Sequence, residues 1–358
     1  MTKITVSAME QHVLHTHDPL LLQDQLLPGV SRTFALTIPQ LPPPLRMAVT
    51  NAYLLCRIAD TVEDDLALTG DQKREFHQRF VEVVEGRHNG GEFAADLAPL
   101  LSDATPEAEQ LLIQQVPGVI QVTHDLNPRQ RAALERCVAI MCAGMPKFQE
   151  NKSVSGLPTV ADMDQYCYYV AGVVGEMLTE LFCDYCGTPS SRRQPMMRLA
   201  VAFGQGLQMT NILKDFWEDR ASQACWLPRE VFQRNGLDLG QPDLAQPPFF
   251  RGIRELIGMA HGHLQEALSY VRMIPSGEVG IRRFCLWAIG LAVLTLQGIR
   301  KNPHYTSADQ IKVSRRALKT VVLISNLLSS SDRALRLAFK FSAMGLPLQR
   351  HLIAARSG

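Results

Sequence analysis

The pattern D-x-x-E-D occurs twice, in "DTVEDD" at 60–65 and again in "DFWED" at 215–219, and each copy continues an apolar segment. In "YLLCRIADTVEDD", Tyr53, Arg57, Asp60 and Asp64 are spaced 4, 3 and 4. Residues three and four apart share a helix face, so these four form one polar line. Leu54, Leu55, Ile58, Ala59 and Val62 fill the other faces. A surface helix shows the opposite balance, so the polar line faces a water-filled cavity or a partner inside the protein. In "GQGLQMTNILKDFWED", Gln208, Asn211, Asp215 and Asp219 are spaced 3, 4 and 4 among Leu207, Met209, Ile212, Leu213, Phe216 and Trp217. Two such lines constrain the chain to helices packed around a shared cavity.

Carboxylates facing one another across a cavity repel. Two unit charges about 5 Å apart cost roughly 3 kcal/mol at an effective dielectric of about 20. Uncompensated, they raise one another's pKa values and take up protons. A hard divalent cation removes that cost, and Mg²⁺ takes one or two carboxylates together with waters and phosphate oxygens. The paired lines therefore predict a Mg²⁺–diphosphate site, with Arg32, Arg57 and Lys214 adding positive charge. Either motif alone reads equally well as a solvated helix end. Two copies with amide partners and matched spacing do not.

The rest of the chain fits this reading. Of 358 residues, 46% are hydrophobic, enough for a sizeable core. A net charge of +1 gives no electrostatic case for nucleic acid. No run of about 18 apolar residues lacks a charge, so no transmembrane helix is expected. The first twenty residues lack a signal-peptide core, which makes the expected compartment the cytoplasm. The eight cysteines lie mostly in apolar helical context, as reduced, buried thiols do. Cys183 and Cys186 form a C-x-x-C without a second pair or suitably spaced histidines, and read as structural. "GQG" at 204–206 lacks a third glycine and a preceding strand, so it is no dinucleotide fingerprint.

Helical periodicity covers 44–65, 107–123, 128–150, 161–186, 194–219, 252–272, 281–300 and 309–328, while loop signals fall at 86–106 and 236–252. Alternating strand patterns are nearly absent. The fold class is all-α, and two acidic motifs sharing one cavity imply one domain.

The ordered segments "VSRTFAL" (30–36), "YLLCRIADTVEDD" (53–65), "YCYYVAGVVGEM" (166–177), "GQGLQMTNILKDFWED" (204–219) and "WLPREVF" (226–232) resemble the head-to-head trans-isoprenyl synthases of the squalene/phytoene synthase family. The resemblance spans roughly 28–325 and is closest to the squalene branch. It implies an isoprenoid synthase fold, a single helical bundle around a deep central cavity, over 28–328. An N-terminal extension (1–27) and a basic C-terminal segment (329–358) would flank it. It also implies that two farnesyl diphosphates condense to presqualene diphosphate, which NADPH then reduces to squalene, with two or three Mg²⁺ ions.

Residue by residue, the resemblance makes Asp60, Glu63, Asp64, Asp215, Glu218 and Asp219 the metal–diphosphate ligands. Ser31, Arg32, Tyr53 and Arg57 hold diphosphate, and Gln208, Asn211 and Lys214 belong to the second polar line. Tyr166 assists ionisation or proton removal. A phenol near pKa 10 is a poor base at neutral pH, so released diphosphate is the plausible proton acceptor, with Tyr166 orienting it. On periodicity alone, Tyr166, Val170, Val173 and Met177 read as a packed core line. Gly172 and Gly175 in the same helix suggest close packing or room for a prenyl chain. Phe34 and Phe284 match cavity-lining aromatics and read equally as core. Lys312, Ser314, Arg315 and Arg316 match a basic segment near NADPH, where arginine suits a 2′-phosphate, or else form a solvated face.

The chain also departs from the family pattern. Lys214 stands where arginine is usual, and Ala224 lies near the usual place of another arginine, so that either Arg220 substitutes or the loop closes differently. The segment 333–358 is basic and amphipathic, suited either to an anionic membrane surface or to packing on the bundle. Phytoene or dehydrosqualene synthesis, and a non-catalytic helical assembly factor, are the alternatives.

Overall fold

Among the described residues every regular element is helical, and the only β pairing is an isolated bridge between Leu157 and Pro228. The computed structural model describes residues 19–349 apart from Arg32, Asn151, Pro189 and Pro242. The expectation for Arg32 therefore lies outside the described residues. So do residues 1–18 of the N-terminal extension and 350–358 of the C-terminal segment.

The elements that build the site are α1 (Pro19–Val30), α2 (Pro43–Asp64), α3 (Gly70–Val84), α4 (Glu107–Gln114), α5 (Pro128–Gln149), α6 (Val160–Cys167), α7 (Val173–Cys186), α8 (Ser190–Lys214), α9 (Phe216–Ala221), α10 (Pro247–Met273), α11 (Val279–Lys301), α12 (Arg315–Leu328) and α13 (Asp332–Ser342). Prolines at the first turn start α2, α5 and α10. Capping boxes of Thr69 with Gln72 and Thr159 with Asp162 start α3 and α6. Helix α8 runs against α10 and α7, α5 packs on α7, α3 and α2, and α11 lies between α10 and α12. Glycine permits the closest approaches. A Cβ on Gly175 would lie 2.3 Å from the Ala200 carbonyl oxygen, and one on Gly204 would lie 2.2 Å from that of Ala171.

Several expected boundaries shift. The segment 161–186 is interrupted by a π-helical turn at Tyr168–Gly172. The segment 194–219 breaks at Asp215, whose φ of −95° and ψ of 9° leave the helical range. The helix expected from 309 begins at Arg315, because the Ser314 hydroxyl accepts the Ala317 N–H as an N-cap; a 3-10 turn, Ala308–Ile311, precedes it. The segment 107–123 divides at Gln115. The expected loop 86–106 contains the helix Gly90–Leu97, capped by Asn89, and the expected loop 236–252 gives way to α10 at Pro247.

Helix α11 is long and apolar enough to cross a membrane by length and composition, which the charge-free-run test does not register. It is also a core helix: Ile281, Phe284, Val293, Leu296 and Ile299 are buried in the bundle.

Candidate functional site

The end of α2 and the α8–α9 junction form facing walls of one chamber. A cavity of about 390 Å³ is lined by Glu63 and Asp64 from the first motif and by Gln208, Asn211, Asp215 and Asp219 from the second, with Tyr166, Trp226, Gln149 and Lys152 completing it. A neighbouring recess of about 190 Å³ adds Asp60, Met145 and Val170. Asp60, Gln208 and Asn211 also border a third space of about 240 Å³ that is otherwise almost wholly apolar, with Phe34, Tyr53, Val170, Met177, Leu207, Phe284 and Ala288 in its walls. The site thus has an acidic head and an apolar tail that share residues at their junction.

The acidic head is electrostatically unsatisfied. Burial, reinforced by the neighbouring Asp64 charge, pushes Asp60 up to about 7. Burial also pushes Glu63 up to about 7, against the pull of Lys73. Asp219 reaches about 7 through burial and the charges of Asp215 and Asp64, the last of which reaches it from the opposite motif. Asp64 and Asp215 are raised too, burial first in each case. Asp65, the fourth carboxylate of "DTVEDD", does not join them. It accepts the Ala67 N–H (2.8 Å), the Leu68 N–H (3.1 Å), the Ser102 N–H (2.8 Å) and the Thr105 hydroxyl (2.7 Å), which hold it low despite burial.

Glu63 is buried with no hydrogen-bond partner on either carboxylate oxygen. The donors facing the chamber are carboxylate oxygens, the set a hard cation prefers, so the residues fit Mg²⁺. Among the described residues no three acidic, histidine or cysteine side chains converge as a ready ligand set. An ion here would complete its shell with water and phosphate oxygens.

The other expected residues divide. Arg57 is fixed by a hydrogen bond to Glu109 of α4, and its guanidinium lies 3.8 Å from Asp60. The Thr61 hydroxyl sits 3.2 Å from the second Glu109 oxygen. The Tyr53 hydroxyl donates to the Val30 carbonyl (3.0 Å), and the Ser31 hydroxyl accepts the Phe34 N–H (3.0 Å). The Tyr53 side chain also borders the apolar tail. Phe34 and Phe284 also line that tail, with ring centroids 6.3 Å apart.

Lys214 pairs with Asp215 at 3.2 Å. The Glu218 carboxylate turns away from the chamber to accept the Ala308 N–H at 2.8 Å. Lys312, Ser314, Arg315 and Arg316 are exposed outside the chamber wall; Lys312 sits 3.1 Å from Asp309 and Ser314 is used as a cap. Arg220 is not a free cation for the site. It donates to the carbonyls of Val154 (3.0 Å), Leu239 (2.8 Å) and Gln241 (2.6 Å), tying two loop segments to α9.

Tyr166 stands between the two motifs. Its ring stacks on Trp226 with centroids 4.3 Å apart and planes 5° apart, and Phe148 closes at 5.5 Å. Burial, with the charges of Asp64, Asp219 and Asp60 among the further causes, pushes its phenol well above the usual range. It is therefore a hydrogen-bond donor at neutral pH, not a base. The π-turn begins two residues on, and Val170 within it meets both the recess and the tail.

Three contributors were not expected from sequence. Trp226 supplies the stack, and Glu109 supplies the anchor of Arg57. Lys152 is the only cation among the described residues lining the main chamber. Trp226 opens the segment "WLPREVF" but carries no periodic signal. Lys152 follows the end of α5 in a polar run that nothing distinguishes from an ordinary loop.

The sequence and the fold have counterparts among known proteins. The squalene/phytoene synthase family model matches residues 27–317. The squalene synthase of Cyberlindnera jadinii is 27% identical over 87% of this chain and 68% of its own length. That of Eremothecium gossypii is 31% identical over 76% of this chain and 60% of its own. The chain thus spans about 60–68% of the length of these curated relatives. Among solved structures, TcSQS bound to the ligand BPH1237 superposes with a TM-score of 0.74 at 24% identity, covering 91% of each chain, which is a likeness of fold.

Proposed function

The chain belongs to the squalene/phytoene synthase family, and from that premise we propose that it joins two farnesyl diphosphates head to head and reduces the product to squalene. The observation that carries this reading is the junction of an acidic head with an apolar tail, made by Gln208 and Asn211 at the chamber and by Asp60 at its recess. A prenyl diphosphate has the same two halves in the same order.

Asp60, Glu63, Asp64, Asp215 and Asp219 are the residues that would hold Mg²⁺, which supplies charge neutralisation to a departing diphosphate. Arg57 and Lys152 add cationic contacts. Tyr166 stays protonated and donates a hydrogen bond toward the diphosphate, which takes the proton lost when the cyclopropane closes. Phe34 and Phe284 present aromatic faces to the prenyl chains, where cationic character is favoured. In the first step one diphosphate leaves its carbon as the alkene of the second substrate forms a carbon–carbon bond to that carbon. Loss of one proton then lets a second carbon–carbon bond close the cyclopropane of presqualene diphosphate. In the second, the remaining diphosphate leaves and a hydride from NADPH gives squalene and NADP⁺. Arg315 and Arg316, in the first turn of α12 with no acidic residue beside them, would suit the 2′-phosphate.

We place the protein in the cytoplasm, beside the membrane that receives a hydrocarbon product. Its eight cysteines are all free thiols, as a reducing compartment would keep them. The test is incubation with farnesyl diphosphate and Mg²⁺, with and without NADPH, followed by mass analysis of the extracted lipids. Squalene only with NADPH, and presqualene diphosphate without it, are expected. Dehydrosqualene regardless of NADPH would overturn the reductive step, and turnover of geranylgeranyl diphosphate alone would overturn the chain length.

A further inference from the structure

Helices α12 and α13 form an antiparallel hairpin that is fixed to the bundle and yet carries a second apolar face. The buried Arg282 holds its turn, donating to the Ser329 carbonyl (2.9 Å), Asp332 (2.9 Å) and the Ile274 carbonyl (3.0 Å). Gln297 holds its end, donating to the carbonyls of Ser342 (3.0 Å) and Met344 (2.9 Å). Beyond it, the Pro347 carbonyl accepts from His261 (2.8 Å). The inward side is satisfied: Leu335 and Phe339 are buried, and Val321 sits over Gly290 of α11.

The outward side is not satisfied. Leu337 and Phe341 project opposite Leu335 and Phe339 on α13 and are 57% and 70% exposed. Leu323 and Leu327 do the same on α12, at 59% and 70%. Beside these residues run exposed cations: Lys319 on α12, and Arg333, Arg336 and Lys340 on α13. Over 312–349 the only acidic residue is Asp332, which faces inward to Arg282.

We propose that this hairpin face docks on an anionic lipid surface. A helix lying in a membrane interface needs an apolar face flanked by lysine and arginine, and both helices present one on the same side of the fold. Charge complementarity favours an anionic surface over a second copy or the chain's own continuation. A second copy would bring the same cations against these, and the chain beyond 349 adds Arg350 and Arg356. The face also backs onto α11, whose Phe284, Cys285 and Ala288 wall the apolar tail. Docking would thus set the tail one helix away from lipid. The inference deepens the membrane side of the proposed function and rests on it only there.

The test is flotation of the full chain with vesicles of equal phosphatidylcholine and phosphatidylglycerol, against pure phosphatidylcholine, without substrate. Binding to the anionic vesicles that weakens with salt is expected. Arg333→Glu/Arg336→Glu/Lys340→Glu should weaken it roughly 100-fold, since each cation near such a surface contributes measurably. Leu337→Ser/Phe341→Ser should weaken it at every salt concentration. Unchanged melting temperature and diphosphate release in detergent would show both variants folded. Equal binding to neutral vesicles, undiminished binding by both variants, or a wild-type dimer that either variant dissociates would overturn the proposal. Because no substrate is present, its failure leaves the proposed reaction standing, and failure of the reaction leaves the vesicle result standing.

Discussion

The two acidic motifs share one letter pattern but differ in construction. The first ends an unbroken helix. Asp60, Glu63 and Asp64 all reach the chamber or its recess, and Asp65 is diverted to cap the next loop. The second straddles a break at Asp215, where the Leu213 carbonyl accepts the hydroxyl of buried Tyr305. The glutamates diverge most. Glu63 is buried 3.6 Å from His77 Nδ1, while Glu218 is exposed and bonds the backbone at Ala308. The Nε2 of His77 donates to the Ala59 carbonyl (3.1 Å), and burial lowers the imidazole to about 4. Neutral Nδ1 therefore presents a lone pair to Glu63, a contact best made with the protonated acid. A cation displacing that proton would use Glu63 as a ligand. The same position in the second motif instead fixes the 305–311 segment.

The largest effect should come where the motifs are alike. Asp64→Asn and Asp219→Asn each remove a charge facing the chamber from one wall. Each should slow diphosphate release from farnesyl diphosphate by roughly 100- to 1,000-fold, the range for losing one transition-state charge contact. Single-turnover release measures this. A small loss in one variant and a large loss in the other would mean that a single wall holds the ions.

Next comes the place where the motifs differ. Glu63→Gln should raise the Mg²⁺ concentration needed for half-maximal release by roughly 10- to 100-fold. Glu218→Gln, which keeps an acceptor for the Ala308 N–H, should leave that concentration nearly unchanged. Equal Mg²⁺ shifts would break the distinction between a ligand and a backbone anchor.

The contrast also marks what was readable in the sequence. Spacings of 4, 3 and 4 put Arg57, Asp60 and Asp64 on one line because α2 continues through them, so the first wall was legible. The places of Phe34, Phe284 and Tyr166 were suggested only by the family resemblance, since periodicity alone reads Tyr166 as packed core and the two phenylalanines equally as core; all three line the cavities here. The Glu218 contact was not legible, because periodicity extrapolates a straight helix and the chain breaks at Asp215. The capture of Arg220 by three carbonyls of two loops distant in sequence was not legible either, because no local pattern encodes it. Trp226 and Glu109 act through contacts 60 and 52 residues away in sequence. Such pairings belong to the packing.

A subtler variant sharpens the role of the break. Tyr305→Phe removes the hydroxyl that satisfies the Leu213 carbonyl. The loss of one buried hydrogen bond should cost about 1–2 kcal/mol in denaturant unfolding. If the bond also sets the second wall, Asp215 and Asp219 shift, and Mg²⁺ dependence should weaken more than in a variant of equal instability elsewhere, such as Phe80→Leu in the α3 core. Matching Mg²⁺ curves would reduce Tyr305 to a stability residue.

The smallest effect distinguishes the ion-free chamber from the filled one through pH. Unfolded Asp and Glu titrate near 4, whereas Asp60, Glu63 and Asp219 rise to about 7 in the folded chain. Between those values the folded protein holds protons that the unfolded chain has released, so its stability falls as pH rises through the window. His77 opposes this. Its folded value near 4 lies below the unfolded 6.5, so its contribution is lost as pH falls. One imidazole stands against three carboxylates, and Asp64 and Asp215 add in the carboxylates' direction. Without Mg²⁺, the melting temperature should drop by about a few degrees from pH 5 to pH 8. Saturating Mg²⁺ should remove most of that slope, because an ion replaces the protons and binds better as they leave. Melting curves at both pH values, with and without Mg²⁺, test this directly. A flat ion-free profile would mean that these carboxylates are better hydrated in solution than their burial in the chamber requires.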